Sequence, residues 1–447
     1  MIPVPSSMEP LVMSFSVAFT EPTFRRAVVL MVGAIVARNH RTVTGLLRTV
    51  GPWAPGHFSS YHRVFSRAPC SLWSLGKALA CAVMKFIPPD EPILVPADDS
   101  TAQHRGQHVY GKGCHHDAVR SSHSHIVWRW GHRGVVLAVS VKFPFTSRRW
   151  ALPVLAALYR PEELDRAEHR RHKTPPALAR QLLCVLIRWF PQRRFILLGD
   201  GGYAAHALAQ FCSVHARHCT LVSRFHGDAN LYASPPRYRG KGRPAAKGGK
   251  LPPPQQVVAR RRRTRDTVRW YGGGTRQVEW VSGTGLWYKA GRGLVPIRWV
   301  FVHDLTGTHR DEYLYSTELS LSPPQIVSWF TARWPIETTF QEVRAHLGFE
   351  TPRQRVRNSI LRTAPCLLGL FSVICMVYAD HTSRHPAPPS SEPWYNKTEP
   401  TFTDTIAVVR ELLWSKLLFA KSSETDDLSE LPRRYKKMLL HYLAQAS

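Results

Sequence analysis

Acidic residues are scarce in this chain of 447 residues. Asp and Glu number 31 against 60 Lys and Arg, which gives a formal charge of +29. A charge that large opposes compaction, and proteins usually tolerate it because their partner is a polyanion. An enzyme that acts on small acidic molecules needs only a local basic patch. The shortage of acids therefore favours nucleic acid as the partner, ahead of an anionic membrane.

Long apolar runs are missing as well. The longest, residues 28–37 and 365–379, are shorter than the ~20 residues of a membrane-spanning helix. We therefore expect no membrane partner and a buried helix at 365–379. The chain also lacks a basic start followed by an apolar stretch and a cleavage site, which is the pattern of a secretory signal. These absences predict a cytoplasmic protein.

Paired cysteines and internal repeats are absent too. The eight cysteines form no Cys-x2-Cys motif, which is typical of reduced thiols in the cytoplasm rather than of a disulfide framework. One cluster of potential zinc ligands remains, at Cys114, His115, His116 and Asp117, with His123 and His125 nearby. Because its spacing fits no zinc-finger pattern, a histidine-rich loop near DNA or a metal site is the more ordinary interpretation.

Hydrophobic periodicity and composition divide the chain into five predicted parts. Residues 1–88 form a helical N-terminal DNA-binding region, 89–224 the first part of a catalytic core, 225–322 a basic β-rich insertion, 323–380 the second part of the core, and 381–447 a linker with two C-terminal helices. The N-terminal helices lack a clear helix-turn-helix spacing. A subdomain that only packs against the core is therefore an equally good interpretation of that region.

The core is predicted to be a mixed α/β sheet. Strands at 93–97, 125–130 and 134–143, the last two joined by a turn at 131–134, precede a helix from 175, a strand at 195–199, a helix at 204–211 and a strand at 219–223. Asp98 follows the first strand, and Asp200 follows the strand at 195–199. Active sites of α/β sheets lie at the carboxyl ends of strands, so both acids are candidates. A solvated acid or a helix cap is the alternative for each.

The insertion begins as a polycation. Residues 237–265 contain eleven Lys and Arg and no acid, and they include the run Arg260, Arg261, Arg262 and Arg263. We predict a flexible segment that holds DNA through its phosphates without reading the base sequence. Segments with strand-like composition follow at 268–271, 278–281, 286–289 and 296–303.

A long helix is predicted from residue 323 to about 347, with a kink where Pro335 removes a backbone donor. Four of its residues share one face because they are spaced i, i+3, i+7 and i+14: Phe330, Arg333, Glu337 and Arg344. That face presents a carboxylate between two cations, which suits a site that grips DNA phosphates. The alternative is a salt-bridged surface helix with Phe330 in the core.

Three carboxylates from three different elements, Asp98, Asp200 and Glu337, are the candidate metal ligands. Such a set holds hard divalent cations through oxygen, which Mg²⁺ prefers. Two ions about 4 Å apart activate a water or a 3′-hydroxyl and stabilise the leaving oxygen in phosphodiester chemistry. The pattern predicts Mg²⁺ as the cofactor, with Mn²⁺ as a substitute, although a chain with 31 acids offers many such triplets.

The helix motif resembles the Tyr-x2-Arg-x3-Glu-x6-Lys signature of the DDE transposases of bacterial insertion sequences, in their cut-and-paste branch. The match is Phe330-x2-Arg333-x3-Glu337-x6-Arg344, with Phe in place of Tyr and Arg in place of Lys. The segment Asp98-Asp99-Ser100-Thr101 resembles the family's first motif and favours Asp98 over Asp99 as the ligand. Asp200, within the segment 198–203, matches the second motif. The resemblance extends from about 91 to 350.

The resemblance implies a fold, an activity and roles for residues. The fold is an RNase H-like core with the insertion before the Glu-bearing helix. The activity is cleavage at the ends of a DNA element and joining of the 3′-hydroxyls to target DNA, with hairpin ends. Phe330, Arg333 and Arg344 would face the DNA near the cleaved end. Trp299 resembles an insertion-strand Trp that stacks on a flipped base, and a buried strand Trp is the alternative.

Partners and rival functions follow from the same resemblance. We expect double-stranded DNA as the partner, in the nucleoid of a bacterial cytoplasm, and a homodimer on the paired ends, with the C-terminal helices as the candidate contact. One rival is a metal-dependent nuclease without strand transfer, which has no need of the insertion. Another is a non-catalytic DNA-binding protein on the same scaffold, which predicts loss of the acids.

Overall fold

The chain is described here by a computed structural model. It describes residues 1–38, 41–117, 121–122, 124–238, 240, 243–386, 396–419 and 431–445. His123 and most of the predicted linker lie outside these ranges.

The N-terminal region that the sequence predicted to be helical contains five α-helices in its described residues: α1 (Glu9–Ser14), α2 (Glu21–Val36), α3 (Val43–Val50), α4 (Phe58–Ser66) and α5 (Leu72–Met84). Helix α2 is apolar on nearly all sides, and ten of its side chains are buried. It is enclosed because α3, α4 and a C-terminal helix pack around it. These contacts match the packing alternative, and DNA binding by residues 1–88 stays a prediction.

Five strands form the centre of the sheet: β1 (Ile93–Gln103), β3 (Trp128–Lys142), β4 (Arg149–Tyr159), β5 (Phe195–Gly199) and β6 (Cys219–Arg224). A short strand, β2 (Gly113–His116), pairs with the start of β3. The central order is β4-β3-β1-β5-β6. The β4–β3 and β3–β1 pairs are antiparallel, whereas β1–β5 and β5–β6 are parallel. This order confirms the predicted mixed α/β, RNase H-like fold.

Helices cover both faces of these strands. Helices α6 (Glu162–Ala167), α7 (Pro175–Trp189) and α8 (His206–Val214) lie between successive strands of the chain. Helix α7 packs on β3 and β4, and α8 packs on β6. Pro175 and Pro176 open α7, where a missing N–H costs nothing because the first turn has no intrahelical acceptor for it.

Two of the predicted strands are one strand. A turn was expected at residues 131–134, but β3 runs through it without interruption. Gly131 lies opposite Gln103, and a Cβ at this position would stand only 2.1 Å from the Ala102 carbonyl oxygen. The glycine is therefore present because two backbones approach closely, which is one of the established uses of glycine inside a strand.

Strand β4 was not predicted from the sequence. It contains Pro153, and proline inside an apolar run argues against a central strand because it cannot donate to the ladder. The structure accommodates Pro153 opposite Ala138, where the register between β3 and β4 shifts by one residue. At a bulge of this kind residue 153 does not need to donate an N–H to the neighbouring strand, so proline is tolerated there.

The insertion extends the same sheet. Its elements are β7 (Leu231–Tyr232), α9 (Pro254–Arg260), β8 (Thr264–Arg269), β9 (Thr275–Lys289), β10 (Gly293–Asp304) and β11 (Glu312–Ser316). Strand β11 pairs with β6 of the core, and β10 and β9 follow. The segments predicted at 278–281 and 286–289 are parts of the single strand β9. The polycation is not wholly irregular, since α9 and the start of β8 lie within it.

The predicted long helix is two helices, α10 (Pro323–Thr331) and α11 (Pro335–Leu347). The expectation of one kinked helix was wrong because Pro335 has no N–H to continue the ladder and its ring clashes with the preceding turn. Pro335 instead occupies the first position of α11. Arg333 consequently lies in the break between the helices rather than on a helical face.

The last helices are α12 (Arg357–Arg384), α13 (Phe402–Phe419) and α14 (Arg433–Ala444). Helix α12 has 28 residues and, among the described helices, is long and apolar enough to cross a membrane. The buried helix that the sequence predicted at 365–379 is confirmed, since Leu368 and residues 370–379 are buried within α12. Its middle packs on the sheet, where Ser372 Oγ donates to the Pro153 carbonyl at 2.8 Å and Phe371 stacks on Trp150. These contacts are those of a core helix.

Candidate active site

Asp98 lies within β1, not after it as predicted. The parallel pairing of β1 with β5 ends at Pro96, whereas its antiparallel pairing with β3 continues to Gln103. Asp98 is therefore the second residue beyond the point where β5 leaves β1. Its side chain is 15% exposed and faces the break between α10 and α11.

Asp200 directly follows β5, as the sequence indicated. The Gly202 N–H donates to its Oδ1 at 2.9 Å, so the carboxylate caps the short helical turn that follows. The Ser223 hydroxyl donates to the Asp200 carbonyl at 2.7 Å. These two bonds fix the residue at the carboxyl end of the parallel strands, where α/β sheets carry their sites.

Arg333 joins the first and third candidate carboxylates. Its Nη1 donates to Asp98 Oδ2 at 3.1 Å, and its Nη2 donates to Glu337 Oε1 at 2.7 Å. The arginine side chain is 10% exposed, whereas that of Glu337 is 40% exposed. The guanidinium is thus a largely buried cation held between two acids, and Glu337 is the acid that faces solvent.

Electrostatic interactions connect all three acids. Burial raises the pKa of Asp98 to about 7, and the charges of Asp200 and Asp99 add to this rise while Arg333 opposes it. Burial acts to lower the pKa of Arg333, but Asp98, Glu337 and Asp200 outweigh it and raise that pKa. The structure therefore brings Asp98, Asp200 and Glu337 around one arginine, although they lie far apart in the sequence.

Asp99 has different partners. Arg133 of β3 forms a salt bridge with its carboxylate, and the Tyr203 hydroxyl donates to Asp99 Oδ1 at 3.4 Å. Burial raises the pKa of Tyr203 well above its usual value, so the hydroxyl stays a donor. Sequence reasoning missed Arg133 and Tyr203 because nothing in their local pattern relates them to Asp99.

Arg344 connects α11 with β1. It donates to the Ser100 hydroxyl and, at 3.3 Å, to the Thr101 carbonyl, and its Nε lies 3.7 Å from Glu350 Oε1. Its side chain is about one third exposed. Arg344 therefore holds the Glu337 helix against the strand that carries Asp98, while part of its guanidinium remains open to solvent.

Phe330 and Trp299 are buried, with 2% and 3% of their surface exposed. Phe330 packs in the core beneath α10, as the surface-helix alternative expected for this residue. Trp299 lies over Gly283 of the neighbouring strand, where a Cβ would stand 2.7 Å from its ring. Neither side chain is presented to DNA in this conformation, so the predicted stacking of Trp299 on a base has no exposed ring to use.

The four arginines of the polycation, Arg260, Arg261, Arg262 and Arg263, are exposed. Arg261 donates to the Ser282 carbonyl at 3.2 Å, and Arg263 lies 3.8 Å from Glu279. These contacts place Arg261 and Arg263 beside β9 of the insertion. The predicted contact of all four with DNA phosphates stays a prediction.

The possible zinc cluster does not assemble in the described part of the chain. Cys114 and His116 are exposed whereas His115 is buried, since they alternate along β2. Across the described residues no group of three or more His, Cys, Asp or Glu side chains is positioned to hold a metal ion. This includes the three acids, because the Arg333 guanidinium lies between Asp98 and Glu337.

The donor chemistry of the three acids nevertheless fits a hard divalent cation. All three supply carboxylate oxygens, which are the ligands that Mg²⁺ and Mn²⁺ select. The structure also holds a positive charge among them, in the form of Arg333. Direct ligation by Asp98 and Glu337 requires that Arg333 release at least one of them.

A mixed sheet with acids gathered beside its parallel strands is the architecture of a metal-dependent phosphodiesterase, and a family comparison gives the same class. A family model of the DDE superfamily endonucleases matches residues 14–277. This match covers more than half of the chain, so the protein belongs to the DDE superfamily of endonucleases, whose members generally use divalent metal ions. The matched range includes Asp98 and Asp200 and ends before Glu337.

No curated protein matches the sequence. A similar solved structure is the cryo-EM structure of piggyBac transposase in a synaptic complex with hairpin DNA, at 12% sequence identity. The similarity covers 98% of this chain and 81% of that chain, with a TM-score of 0.40. A TM-score this low supports no conclusion about the present protein.

Proposed function

We propose that this DDE superfamily endonuclease is a transposase of a bacterial insertion sequence. It cleaves DNA at the ends of the element and joins the 3′-hydroxyls to target DNA. The observation that carries the proposal is the gathering of Asp98, Asp200 and Glu337 around Arg333. The spacing of Arg333, Glu337 and Arg344 supports it, since it follows the signature of the cut-and-paste branch.

Each acid has a defined role in this proposal. Asp98 provides an oxygen ligand from a paired strand, and Asp200 provides one from the end of β5, where the Gly202 N–H holds its carboxylate. Glu337 provides the third ligand from the first turn of α11 and, being more exposed than Asp98, faces the incoming DNA. Asp98 is preferred over Asp99 as the first ligand, because Asp98 shares Arg333 with Glu337 whereas Asp99 binds Arg133 and Tyr203.

The proposed reaction first hydrolyses one phosphodiester bond and then exchanges another for a new one. Bound Mg²⁺ ions, which Mn²⁺ can replace, would polarise the scissile phosphate and activate the attacking oxygen. In cleavage, water attacks the phosphorus, the bond to the 3′-oxygen breaks, and that oxygen leaves with a proton that the water gives up. In joining, the freed 3′-hydroxyl attacks a target phosphate, and the target's own 3′-oxygen leaves as a hydroxyl. A hairpin intermediate arises when the freed hydroxyl attacks a phosphate of the opposite strand and the 3′-oxygen of the flanking DNA leaves as a hydroxyl.

The two arginines position the DNA in this proposal. Arg344 keeps its place through Ser100 and Thr101 and offers its exposed edge to a phosphate. Arg333 would be free to bind a phosphate if a metal ion replaced it as the partner of Asp98 or Glu337. The release of Arg333 from that carboxylate would therefore accompany metal binding. The arginines of the insertion would hold DNA through its phosphates. A second copy of the chain, in contact with the first through α13 and α14, would hold the other end of the element.

The test is strand cleavage and joining on DNA that carries the flanks of this open reading frame, in Mg²⁺ and in Mn²⁺. Asp98→Asn, Asp200→Asn and Glu337→Gln should each abolish both products. Matched controls are Glu342→Gln, a carboxylate on the same helix bonded to His346, and Asp311→Asn, an exposed acid beside His303. Both controls should retain cleavage and joining.

The products separate the rival functions. Joined strands support a transposase, whereas nicks without joined strands in any metal would support a nuclease without strand transfer. Binding with no cleavage by the wild type would support a non-catalytic DNA-binding protein. A denaturing gel of the excised ends shows whether they are hairpins, since a hairpin migrates as a strand of double length.

A further inference from the structure

Two tryptophans stand exposed on the hairpin formed by β2 and the beginning of β3. Trp128 is 61% exposed and Trp130 is 56% exposed. They lie two residues apart on one strand, so both indoles project from the same face of the hairpin. Large apolar side chains grouped on a surface commonly mark an interaction site.

This face of the hairpin is also the face that carries Asp98. Asp98 pairs with Val136, Ser100 with Gly134, and Ala102 with His132. Residues directly opposite each other in an antiparallel pair share a face. Alternate residues of β3 continue that face outward to Trp130 and Trp128.

A DNA strand is long enough to span the distance between the acids and the two tryptophans. At about 3.3 Å per residue, Trp130 is roughly 20 Å and Trp128 roughly 26 Å along β3 from the residue opposite Asp98. With a rise of about 3.4 Å per base, these distances correspond to roughly six and eight nucleotides. Phe349, Pro352 and Gln354 line a small cavity with Ser100, Ala102 and His132 of this face, so a strand that leaves the acids would reach the indoles by passing over these residues.

The hairpin is braced against the catalytic helix. Arg129, between the two tryptophans on the opposite face, lies 3.4 Å from Asp117 and 3.8 Å from Glu350 and donates to Gln103 at 3.0 Å. Glu350 also pairs with Arg344 of α11. The position of the indoles is thus fixed relative to the helix that carries Glu337.

Positive charge adjoins the aromatic surface. The Lys112 ammonium lies 5.3 Å from the centre of the Trp130 ring, and the His116 ring lies 5.8 Å from that of Trp128. An aromatic plane next to a cation complements a nucleic acid strand, because bases stack on the plane while phosphates are attracted to the charge. A purely apolar protein contact has no use for this cation.

We propose that Trp128 and Trp130 form a stacking platform for unpaired bases of the DNA strand that extends from the carboxylate site. The inference rests on the proposed function in that it takes DNA as the partner. The bases must be unpaired because the faces of bases in a duplex are covered by their neighbours. Stacking of this kind tolerates any sequence, since every base has a π-face.

The experiment compares two probes with the full chain. One is a blunt duplex, and the other is the same duplex with a single-stranded oligothymidine arm. Fluorescence anisotropy gives the affinity for each. The variants are Trp128→Ala with Trp130→Ala, Trp128→Phe with Trp130→Phe, and Ile126→Ala, which removes an equally exposed apolar side chain, 62% exposed, without an aromatic plane.

The double alanine variant should bind the armed probe about tenfold or more weakly than the wild type and the blunt probe equally well. The phenylalanine variant should recover most of the affinity, and Ile126→Ala should change nothing. The salt dependence should keep its slope, because no phosphate contact is lost.

Unchanged affinity of the alanine variant for the armed probe would overturn the platform, even if the wild type binds and cleaves DNA. A loss shared by Ile126→Ala, together with a change in molecular mass by light scattering, would overturn it in favour of contact between copies of the chain. A wild type that binds neither probe would overturn both this inference and the proposed function.

Discussion

Arg333 Nη1 lies 3.1 Å from Asp98 Oδ2 in a largely buried part of the molecule. The same guanidinium reaches Glu337, so one arginine pairs with two of the three candidate ligands. A buried cation among acids stabilises their convergence when no other cation is present. The arrangement also explains why the signature arginine falls in the break between two helices, where its side chain can turn toward the sheet.

The raised pKa of Asp98 predicts a pH-dependent stability. Its folded pKa of about 7 exceeds the ordinary value of 3.8, so the folded state binds more protons between these two values. The contribution is fully present below about pH 4 and is lost as the pH rises through about 7. Without divalent ions, wild type should therefore lose stability relative to Asp98→Asn between pH 5 and 8, by an amount on the order of 1–3 kcal/mol.

Urea unfolding at a series of pH values measures this difference. The comparison with Asp98→Asn removes the contributions of other titrating groups, which both proteins share. A difference between the two proteins that stays constant from pH 5 to 8 would show that Asp98 titrates normally, and that it is not desolvated as the structure describes.

Gly131 tests the close approach of β1 and β3. Gly131→Ala places a Cβ 2.1 Å from the Ala102 carbonyl oxygen, so the strands must separate at Gln103, five residues along β1 from Asp98. We expect a loss of about 3 kcal/mol in the free energy of unfolding. Gly134→Ala on the same strand is the control, because its Cβ would meet its nearest atom at 4.0 Å.

The control should be neutral or slightly stabilising, since glycine inside a strand costs roughly 0.5–1 kcal/mol relative to alanine. Chemical denaturation of both variants provides the measurement. Equal stability of the two variants would mean that residue 131 lies in a turn, as its sequence context first indicated.

Substitution of Trp299 distinguishes a buried structural side chain from one that stacks on a DNA base. Because it is 3% exposed, Trp299→Ala should lower the free energy of unfolding by about 3–5 kcal/mol, and Trp299→Phe should cost less. Thermal unfolding gives these values, and DNA binding is measured below the transition. A Trp299→Ala protein with wild-type stability and weakened DNA binding would contradict the structure and support the base-stacking role.

Local patterns predicted the elements that hold the acids. The apolar runs before Asp98 and Asp200 are strands β1 and β5, because short apolar runs that end on a polar residue suit buried parallel strands. The helix signature also located Arg333 and Glu337. Pro335 also indicated where the helix is interrupted, although the sequence predicted a kink and the structure has two separate helices.

Features that depend on distant contacts were not predictable in this way. Pro153 hid strand β4, since only the bulge opposite Ala138 makes a proline acceptable there. The partners of Asp99, Arg133 and Tyr203, come from other elements, and Trp299 carries no local sign of its burial. The exposed pair Trp128 and Trp130 lies in a segment that the sequence predicted to be a strand, and the strand pattern carries no sign that both indoles are left uncovered.

Metal rescue at Asp200 tests the central claim most directly. Asp200→Cys replaces a hard oxygen ligand by a softer thiolate, which Mn²⁺ accepts better than Mg²⁺. Asp200→Ser is the matched control, because serine is close to cysteine in size but offers no anionic ligand. If the three acids bind catalytic metal ions, Asp200→Cys should be inactive in Mg²⁺ and regain measurable DNA cleavage in Mn²⁺, while Asp200→Ser stays inactive in both. Cleavage by Asp200→Cys in Mg²⁺ at the wild-type rate would contradict the account, because Asp200 would then not be a ligand.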